Sequence, residues 1–482
     1  MTEMSALAAI DSFPYRHRVH EVMGTPLVTS RIGTVLTEAA RQMSHKGVSS
    51  VVVIDEQGRP AGILTERDVL KAVAAKGADA ADQPVGTVMS APVATVRRDA
   101  LVYVAMGRMD RLKLRHLVVV DERGVAVGMV TVRGLLHLRT STALVVGDEI
   151  ASATEPTQMA SAIAKLPRLA RELLAEHADG VAVAAVCSSM FRDATARAAE
   201  LAEQAMAAEG WGPAPAPWCA LLLGSGGRRE SLLAPDQDNA IVHAGSTEDD
   251  PWFAELGKRM CDMLQGAGVP YCNGGVMAMN AEWRHDTQGW QQQIDRWIAD
   301  AAGPELLNVH IFIDFRAVHG STELADRLRA HLTEHAARSH RFLTAMAQAA
   351  GKLRAPLGVL GQFITRNGRL DLKASALLPL TSTARVLALK HRIDATGTGA
   401  RLDALAAGGH LPEQEARSLR ESHELMLRIL LEQQVADIAA GEAPGNRIDP
   451  KRLAPHERQR LKESFKEINA LNWILENALS TA

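Results

Sequence analysis

Cysteine is scarce and unpatterned. The four residues Cys187, Cys219, Cys261 and Cys272 include no C-x-x-C pair and have no histidine cluster beside them. That argues against a zinc site and predicts plain buried thiols in a cytoplasmic protein. Aromatic residues make up only 4% of the 482-residue chain, so alanine and leucine must fill most of the core, and helix should dominate. No apolar run approaches the ~20 residues of a membrane span. The first residues, with Asp11, Arg16 and Arg18, lack the apolar segment of a signal peptide. The expected location is therefore the cytoplasm, with no membrane partner. A net charge of −3 offers no general surface for nucleic acid. The length calls for two to four domains.

What the chain does contain begins with a repeat. Val22-Met-Gly-Thr-Pro26 recurs as Val88-Met-Ser-Ala-Pro92, Asp55-Glu-Gln-Gly58 as Asp121-Glu-Arg-Gly124, and Gly62-Ile-Leu-Thr65 as Gly128-Met-Val-Thr131, each at an offset of 66 residues. Three coincidences at one offset indicate duplication. Each copy predicts a helix (Val35 to Lys46; Leu101 to Leu112), a β-branched strand (Ser50 to Ile54; His116 to Val120), an Asp-x-x-Gly turn and a second strand (Ala61 to Leu64; Ala126 to Val130). A closing helix follows (Glu66 to Ala75; Val132 to Leu138).

This pattern resembles the CBS domain, and the tandem, at 20–140 with repeats 20–76 and 85–140, resembles a Bateman module. The resemblance implies an adenine nucleotide effector. In the family motif Gly-h-h-Thr-x-x-Asp, the threonine contacts phosphate and the aspartate holds ribose. Thr65 and Asp68 keep both groups, whereas the second copy keeps Thr131 but has Gly134 in place of the acid. One competent site around Thr65 and Asp68 is expected. The other reading is a pair that only dimerises or packs on its neighbour. A homodimer through this module is expected in either case.

Residues 141–210 are alanine-rich, with Leu166, Leu169, Leu173 and Leu174 on one helical face, and read as a helical connector. Gly210-Trp-Gly-Pro-Ala-Pro-Ala-Pro217 interrupts it and opens a new domain. There Ala220-Leu-Leu-Leu223 reads as a buried strand. Gly224 and Ser225 form a turn, Gly226-Gly-Arg-Arg-Glu230 starts a helix, and a second strand opens with Asp236-Gln-Asp238. Strand residues i and i+2 point the same way, so the two carboxylates project together. A helix N-terminus and Arg228 suit phosphate. Asp236 and Asp238 suit Mg²⁺, two ions of which can bridge a nucleoside triphosphate and an attacking oxygen.

The order and the 11-residue separation of Ser225 and Asp236 resemble the polymerase β-like nucleotidyltransferase superfamily. More closely, Gly-Ser-x-Gly-Arg-x-Glu followed by Asp-Gln-Asp-Asn-Ala resembles the bacterial branch related to protein-PII uridylyltransferases, often fused to CBS pairs. The chain departs from that branch at Gly226, Ser231 and Pro235, where Glu, Gln and Thr are frequent. A cyclic-nucleotide-binding module, found at the front of some such proteins, is not expected here. The superfamily implies a third carboxylate on a later strand. Val309-His-Ile-Phe-Ile-Asp-Phe-Arg316 reads as that strand, with Asp314 as candidate metal ligand, or else as a partner of Arg316 or a loop cap.

Trp283, Trp290 and Trp297 fall seven apart and predict core packing. Asn273, Gly274 and Gly275 form a turn that the resemblance places near nucleotide. His243, His285, His310 and His319 show no metal spacing. From Glu323 to Asn477 the periodicity is helical and predicts a bundle of five to seven helices. Leu370-Asp-Leu-Lys373, Ala384-Arg385 and Thr398-Gly-Ala-Arg-Leu402 resemble the substrate-binding domain paired with this family, so Lys373, Arg385 and Arg401 are candidates to reach triphosphate or acceptor. Taken singly, each is an ordinary surface or structural cation. Gln433, Gln434 and Arg452 to Lys466 read as a solvated helical tail.

The expected architecture is thus multidomain α/β plus α. It comprises the tandem CBS module, a connector at 141–210, a nucleotidyltransferase domain at 211–322 and a helical substrate-binding domain at 323–478. The expected activity is regulated, Mg²⁺-dependent transfer of a nucleoside monophosphate from an NTP to an acceptor, by resemblance a PII-type protein. The alternative is a catalytically degenerate, nucleotide-binding regulator.

Overall fold

The computed structural model describes residues 18–176, 178–300, 303–358 and 361–480. They divide into two compact units, Met1–Ser141 and Thr142–Ala482.

The first unit is the duplication made visible. Its first copy contains β1 (Thr29–Arg31), a helix Leu36–Lys46, β2 (Ser50–Ile54), β3 (Pro60–Thr65) and a helix Glu66–Lys76. The second contains β4 (Thr95–Arg97), a helix Val102–Leu112, β5 (His116–Val120), β6 (Ala126–Thr131) and the start of a helix Val132–Ser152. Each sheet pairs its first two strands in parallel and its last two as an antiparallel hairpin. The turns are built by the repeated aspartate. Asp55 Oδ1 accepts from the N–H groups of Gln57 and Arg59, and Asp121 Oδ1 from those of Arg123 and Val125. Gly58 and Gly124 supply the positive φ that closes each turn.

The copies exchange edges. Gly24 bridges Met129, and Ser90 bridges Ile63. A Cβ on Gly62 would lie 2.4 Å from Met89 Sδ, and one on Gly128 would lie 2.5 Å from Met23 Sδ. Glycine is therefore required at both places where a repeated methionine crosses onto the other copy's hairpin. The closing helix of the second copy extends past the expected Leu138, because no proline or capping glycine stops it before Ser152.

In the second unit a four-stranded sheet has the order β10-β7-β8-β9, with β7 at Trp218–Leu222, β8 at Asn239–His243, β9 at Arg284–Asp286 and β10 at Arg316–Gly320. β7 runs antiparallel to β8 and β10, and β8 runs parallel to β9. Every residue of β7 and β8 is buried, which suits the apolar run of β7 and the apolar centre of β8, Ala240, Ile241 and Val242. The helices Gly180–Ala208 and Thr322–Arg338 pack on β7. The segment 141–210, read in sequence as a connector, is thus built into this core. Val183, Ala184, Cys187, Phe191, Ala198 and Ala202 of the first of those helices are buried there.

Two strand expectations are corrected. β8 begins at Asn239, so Asp236 and Asp238 lie on the approach to the strand rather than in it. Val309 to Phe312 is not a strand but the end of a helix, Gly303–Phe312. Its β-branched composition misleads, whereas Pro304 suits a helix start. Phe312 is held by stacking on Trp290 at 4.4 Å. Trp283, Trp290 and Trp297 are all buried with ring centroids 6.0–6.5 Å apart, forming the expected core cluster.

The C-terminal part contains six α-helices: Thr322–Arg338, His340–Gly351, Leu378–Lys390, Thr398–Ala407, Glu413–Ala439 and Pro455–Ser480. Leu378–Lys390 is buried from Pro379 to Leu389, the polar Thr381, Ser382, Thr383 and Arg385 included. The expected solvated tail is corrected. Leu461, Phe465, Ile468 and Leu471 of the last helix are core residues. Gln433 and Gln434 are buried, Gln434 accepting from the Leu233 N–H and donating to the Gly445 carbonyl.

Candidate active site

The glycine turn after β7 is shaped by two close approaches. Gly224 has φ +54°, and a Cβ there would meet Asp238 Oδ2 at 3.0 Å. A Cβ on Gly227 would lie 1.6 Å from the Asp314 carbonyl oxygen. The short helix Gly224–Arg228 is therefore pressed between the acid segment on one side and the Asp314 peptide on the other. Its glycines do more than present N–H groups to a ligand, because they permit the whole site to close up.

Asp236, Asp238 and Cys272 bring one ligand-type atom each within 4.8 Å of one another. Asp236 is exposed and Asp238 half-buried, while Gln237 between them is turned into the core, where its amide donates to the carbonyls of Cys261 and Val269. Burial, reinforced by the neighbouring Asp236 charge, pushes the Asp238 carboxyl up to about 6. Lys373 and Arg228 only partly offset that effect. Among the described residues neither carboxylate has an ion-pair partner within 4.0 Å. Two converging acids with an unneutralised field form the donor set that a divalent cation satisfies. The Cys272 thiol is pushed up to about 11 by burial and by Asp238. Cysteine 272 was expected to be an unremarkable buried thiol; it is half-buried at the acid pair instead, while Cys187, Cys219 and Cys261 are buried.

Beside this cluster lies a pocket lined by Ser225, Arg228, Pro235 and Lys373, with Leu377 and Leu427 forming an apolar wall. Lys373 is exposed and opens a π-helical turn, Lys373–Leu377, that precedes the buried helix Leu378–Lys390. The structure therefore brings together Gly224, Ser225, Arg228, Asp236, Asp238 and Lys373 of the expected site.

Asp314 is not part of that convergence. Its carboxylate is fully buried and is ion-paired with Arg228 at 2.8 Å, Arg385 at 2.5 Å and Arg401 at 2.6 Å. Burial opposes its ionised form, but the guanidinium groups of Arg385, Arg401 and Arg228 overcome this and hold the carboxyl far below its usual range. The metal-ligand reading of Asp314 is thereby corrected. Its oxygens are already committed to three cations, and its neighbour is not Arg316, which instead reaches Thr396.

Arg385 and Arg401 are likewise 2% and 3% exposed, turned inward onto Asp314 rather than out toward the pocket. The two arginines are corrected from triphosphate-reaching groups to members of an interior charge cluster. Glu230, not singled out beforehand, completes it. Glu230 pairs with Arg228 at 2.6 Å and accepts from the Thr398 N–H at 2.7 Å, capping the helix that carries Arg401. Arg228 and Glu230 are the members that also line the pocket.

In the first unit Thr65 caps the helix Glu66–Lys76. Asp68 Oδ2 accepts from the Thr65 hydroxyl at 2.6 Å and from its N–H at 3.0 Å, and Asp68 Oδ1 accepts from Ser90 at 3.3 Å. At the matching place Thr131 accepts from the Gly134 N–H, with no acid beside it. The two copies thus differ in charge as expected, although Asp68 is a buried capping residue in this state.

These features define a two-part protein, a CBS pair and a nucleotidyltransferase-type unit. Residues 19–75 and 85–141 match the CBS domain. Residues 164–304 match the family described as "Putative nucleotidyltransferase DUF294", and 340–478 its companion, "Putative nucleotidyltransferase substrate binding domain". The chain thus carries a domain that matches the DUF294 nucleotidyltransferase model, the companion substrate-binding domain and a CBS pair. An uncharacterised protein of Methanopyrus kandleri is 33% identical over 120 residues, which are 25% of this chain and 61% of that protein. A 17.7 kDa protein of Acidianus ambivalens is 33% identical over 24% of this chain and 70% of its own length. A CBS domain protein of Pyrobaculum aerophilum, solved in complex with AMP, is 30% identical over 26% of this chain and 100% of its own, with a TM-score of 0.23. Among the described residues no helix is long and apolar enough to cross a membrane.

Proposed function

We propose that the second unit is a divalent-cation-dependent nucleotidyltransferase. The convergence of Asp236 and Asp238 beside the Ser225, Arg228 and Lys373 pocket carries this reading. Asp236 and Asp238 would hold Mg²⁺, with Cys272 as the third nearby donor. When bound, the cation neutralises charge on the triphosphate oxygens. The Gly224–Ser225 turn, Lys373 and Arg228 position the phosphates. A hydroxyl of the acceptor attacks the α-phosphorus in line, its proton leaves to water, the bond to the β-phosphate oxygen breaks, and pyrophosphate departs. Asp314 acts at one remove, by holding Arg228 in place. The motif resemblance supports UTP as donor and a PII-type signalling protein as acceptor.

The CBS pair serves as an adenine nucleotide sensor with its single acidic site at Thr65 and Asp68. Occupying that site requires Asp68 to exchange its contact with Ser90 for ribose. The protein works as a cytoplasmic homodimer through the first unit, where Leu70 and Val73 are 69% and 49% exposed on one helix. A second reading, a nucleotide-binding regulator without turnover, is favoured by one observation: among the described residues only two carboxylates converge here, the expected third being clamped by arginines. Incubation with labelled UTP or ATP, Mg²⁺ and cell extract separates the two. Label on protein that disappears in Asp236→Ala/Asp238→Ala supports the enzyme, and bound but untransferred nucleotide supports the regulator. For the sensor, AMP raises the melting temperature of the wild type. An unchanged shift in Asp68→Asn removes Asp68 from the effector site.

A further inference from the structure

We infer that the second unit carries a transition-metal site, separate from the acid pair, formed by Asp295, His331 and His335. His331 and His335 are four apart on the helix Thr322–Arg338 and so share one face. Asp295 projects from the helix Thr287–Asp300. The three side chains meet on one atom: Asp295 Oδ1 lies 2.9 Å from His331 Nε2 and 2.7 Å from His335 Nδ1. The imidazole rings stack, with centroids 3.9 Å apart and planes at 30°. One ligand atom from each residue lies within 4.8 Å of the others.

This arrangement fits a borderline-soft divalent ion such as Zn²⁺, not Mg²⁺. Two imidazole nitrogens and one carboxylate oxygen form a typical mixed donor set for zinc, whereas magnesium takes oxygen almost alone. Zinc–nitrogen bonds of about 2.0–2.1 Å in a tetrahedron put donors about 3.3 Å apart. The present separations to Asp295 need to widen by only about half an ångström, within the reach of one rotamer adjustment. The site is open to entry, since the side chains of His331, His335 and Asp295 are 16%, 40% and 46% exposed. Water can complete the fourth position.

The site is also mechanically placed. The helix Thr287–Asp300 carries Trp290 and Trp297 of the aromatic cluster. Two residues before His331, Arg329 donates to the carbonyls of Ile313 and Phe315, on either side of Asp314. A bound ion would staple these helices together and fix the segment on which the arginine cluster is built.

The test uses the full chain without a polyhistidine tag, stripped with chelator and titrated calorimetrically with ZnCl₂ alone. The wild type binds one more zinc ion than His331→Ala/His335→Ala. Asp236→Ala/Asp238→Ala retains the site, which distinguishes it from the acid pair and keeps the outcome independent of the activity proposed above. Asp295→Asn, the milder change, weakens zinc at least about tenfold. Co²⁺ gives the visible bands of a tetrahedral complex in the wild type and loses them in the histidine variant. Zinc raises the melting temperature of the wild type and not of the histidine variant. Equal stoichiometry and affinity in the wild type and the histidine double variant, with equal apo melting temperatures, overturn the assignment.

Discussion

Replacing Asp314 with asparagine keeps the shape of the side chain and removes one charge. In the wild type the carboxylate faces Arg228, Arg385 and Arg401 at 2.5–2.8 Å with no exposure to water. Asparagine leaves one carbonyl oxygen for three guanidinium groups and turns an N–H₂ donor toward other donors. Glu230 then balances three arginines alone. Breaking a buried pair by removing one partner costs about 3–5 kcal/mol, and the shared carboxylate places this case toward the upper end. With a urea slope of about 3 kcal/mol/M, a loss of about 4 kcal/mol lowers the unfolding midpoint by about 1.3 M. Tryptophan fluorescence reports it, because Trp283, Trp290 and Trp297 lie in the same unit. If charge imbalance is the cause, Asp314→Leu/Arg385→Met/Arg401→Met recovers much of the loss, since an apolar replacement of the whole set is far less costly than an orphaned cation. A midpoint shift below about 0.2 M for Asp314→Asn, or a triple variant weaker than the single, refutes the account of this cluster.

Gly227→Ala places a Cβ 1.6 Å from the Asp314 carbonyl oxygen and is expected to cost about 3 kcal/mol or more, read as lost soluble yield or a lowered urea midpoint. Gly107→Ala meets no atom within 4 Å inside a helix and should stabilise its unit by about 0.5–1 kcal/mol by thermal melting. His310 is held down to about 3 by burial and then by Arg385, against an ordinary 6.5. The unfolded chain therefore takes up a proton from pH 6.5 downward while the folded state refuses it, and stability falls across that window by about 1.4 kcal/mol per pH unit. His310→Gln should flatten this slope between pH 6 and 4 in urea titrations. Cys272→Ser should weaken Cd²⁺ binding by at least about tenfold in calorimetry while leaving Mg²⁺ nearly unchanged, because the softer ion gains most from sulfur.

The elements of the duplicated unit were legible, apart from the closing helix of the second copy, which runs to Ser152 rather than Leu138. Its strands alternate with helices of strong period, and its turns depend on an aspartate and a glycine that no other local pattern explains. The acid pair was legible in part: Asp236 and Asp238 do converge, but on the approach to β8 rather than within a strand. Asp314 was misplaced because Val309-His-Ile-Phe312 has strand composition, whereas the segment is the end of a helix whose Phe312 stacks on the distant Trp290. Arg385 and Arg401 were misjudged for a related reason. Charged residues in sequence suggest surface, and nothing local to either reveals the buried carboxylate 71 and 87 positions away. Cys272 carried no spacing signal toward Asp236, and its place depends on the loop after the helix Asp250–Gly266. The four-residue spacing of His331 and His335 was present in the sequence, but its third ligand arrives from another helix.

The central claim is that Asp236 and Asp238 hold a cation for transfer of a nucleoside monophosphate. The most direct measurement is release of pyrophosphate, coupled to covalent labelling of an acceptor, from α-labelled NTP with Mg²⁺ or Mn²⁺. The account predicts equal amounts of both products, abolished by chelator and by Asp236→Ala/Asp238→Ala in a folded variant. Product formation that survives the double substitution, or a folded wild type that binds NTP yet transfers nothing to any component of the extract, contradicts it.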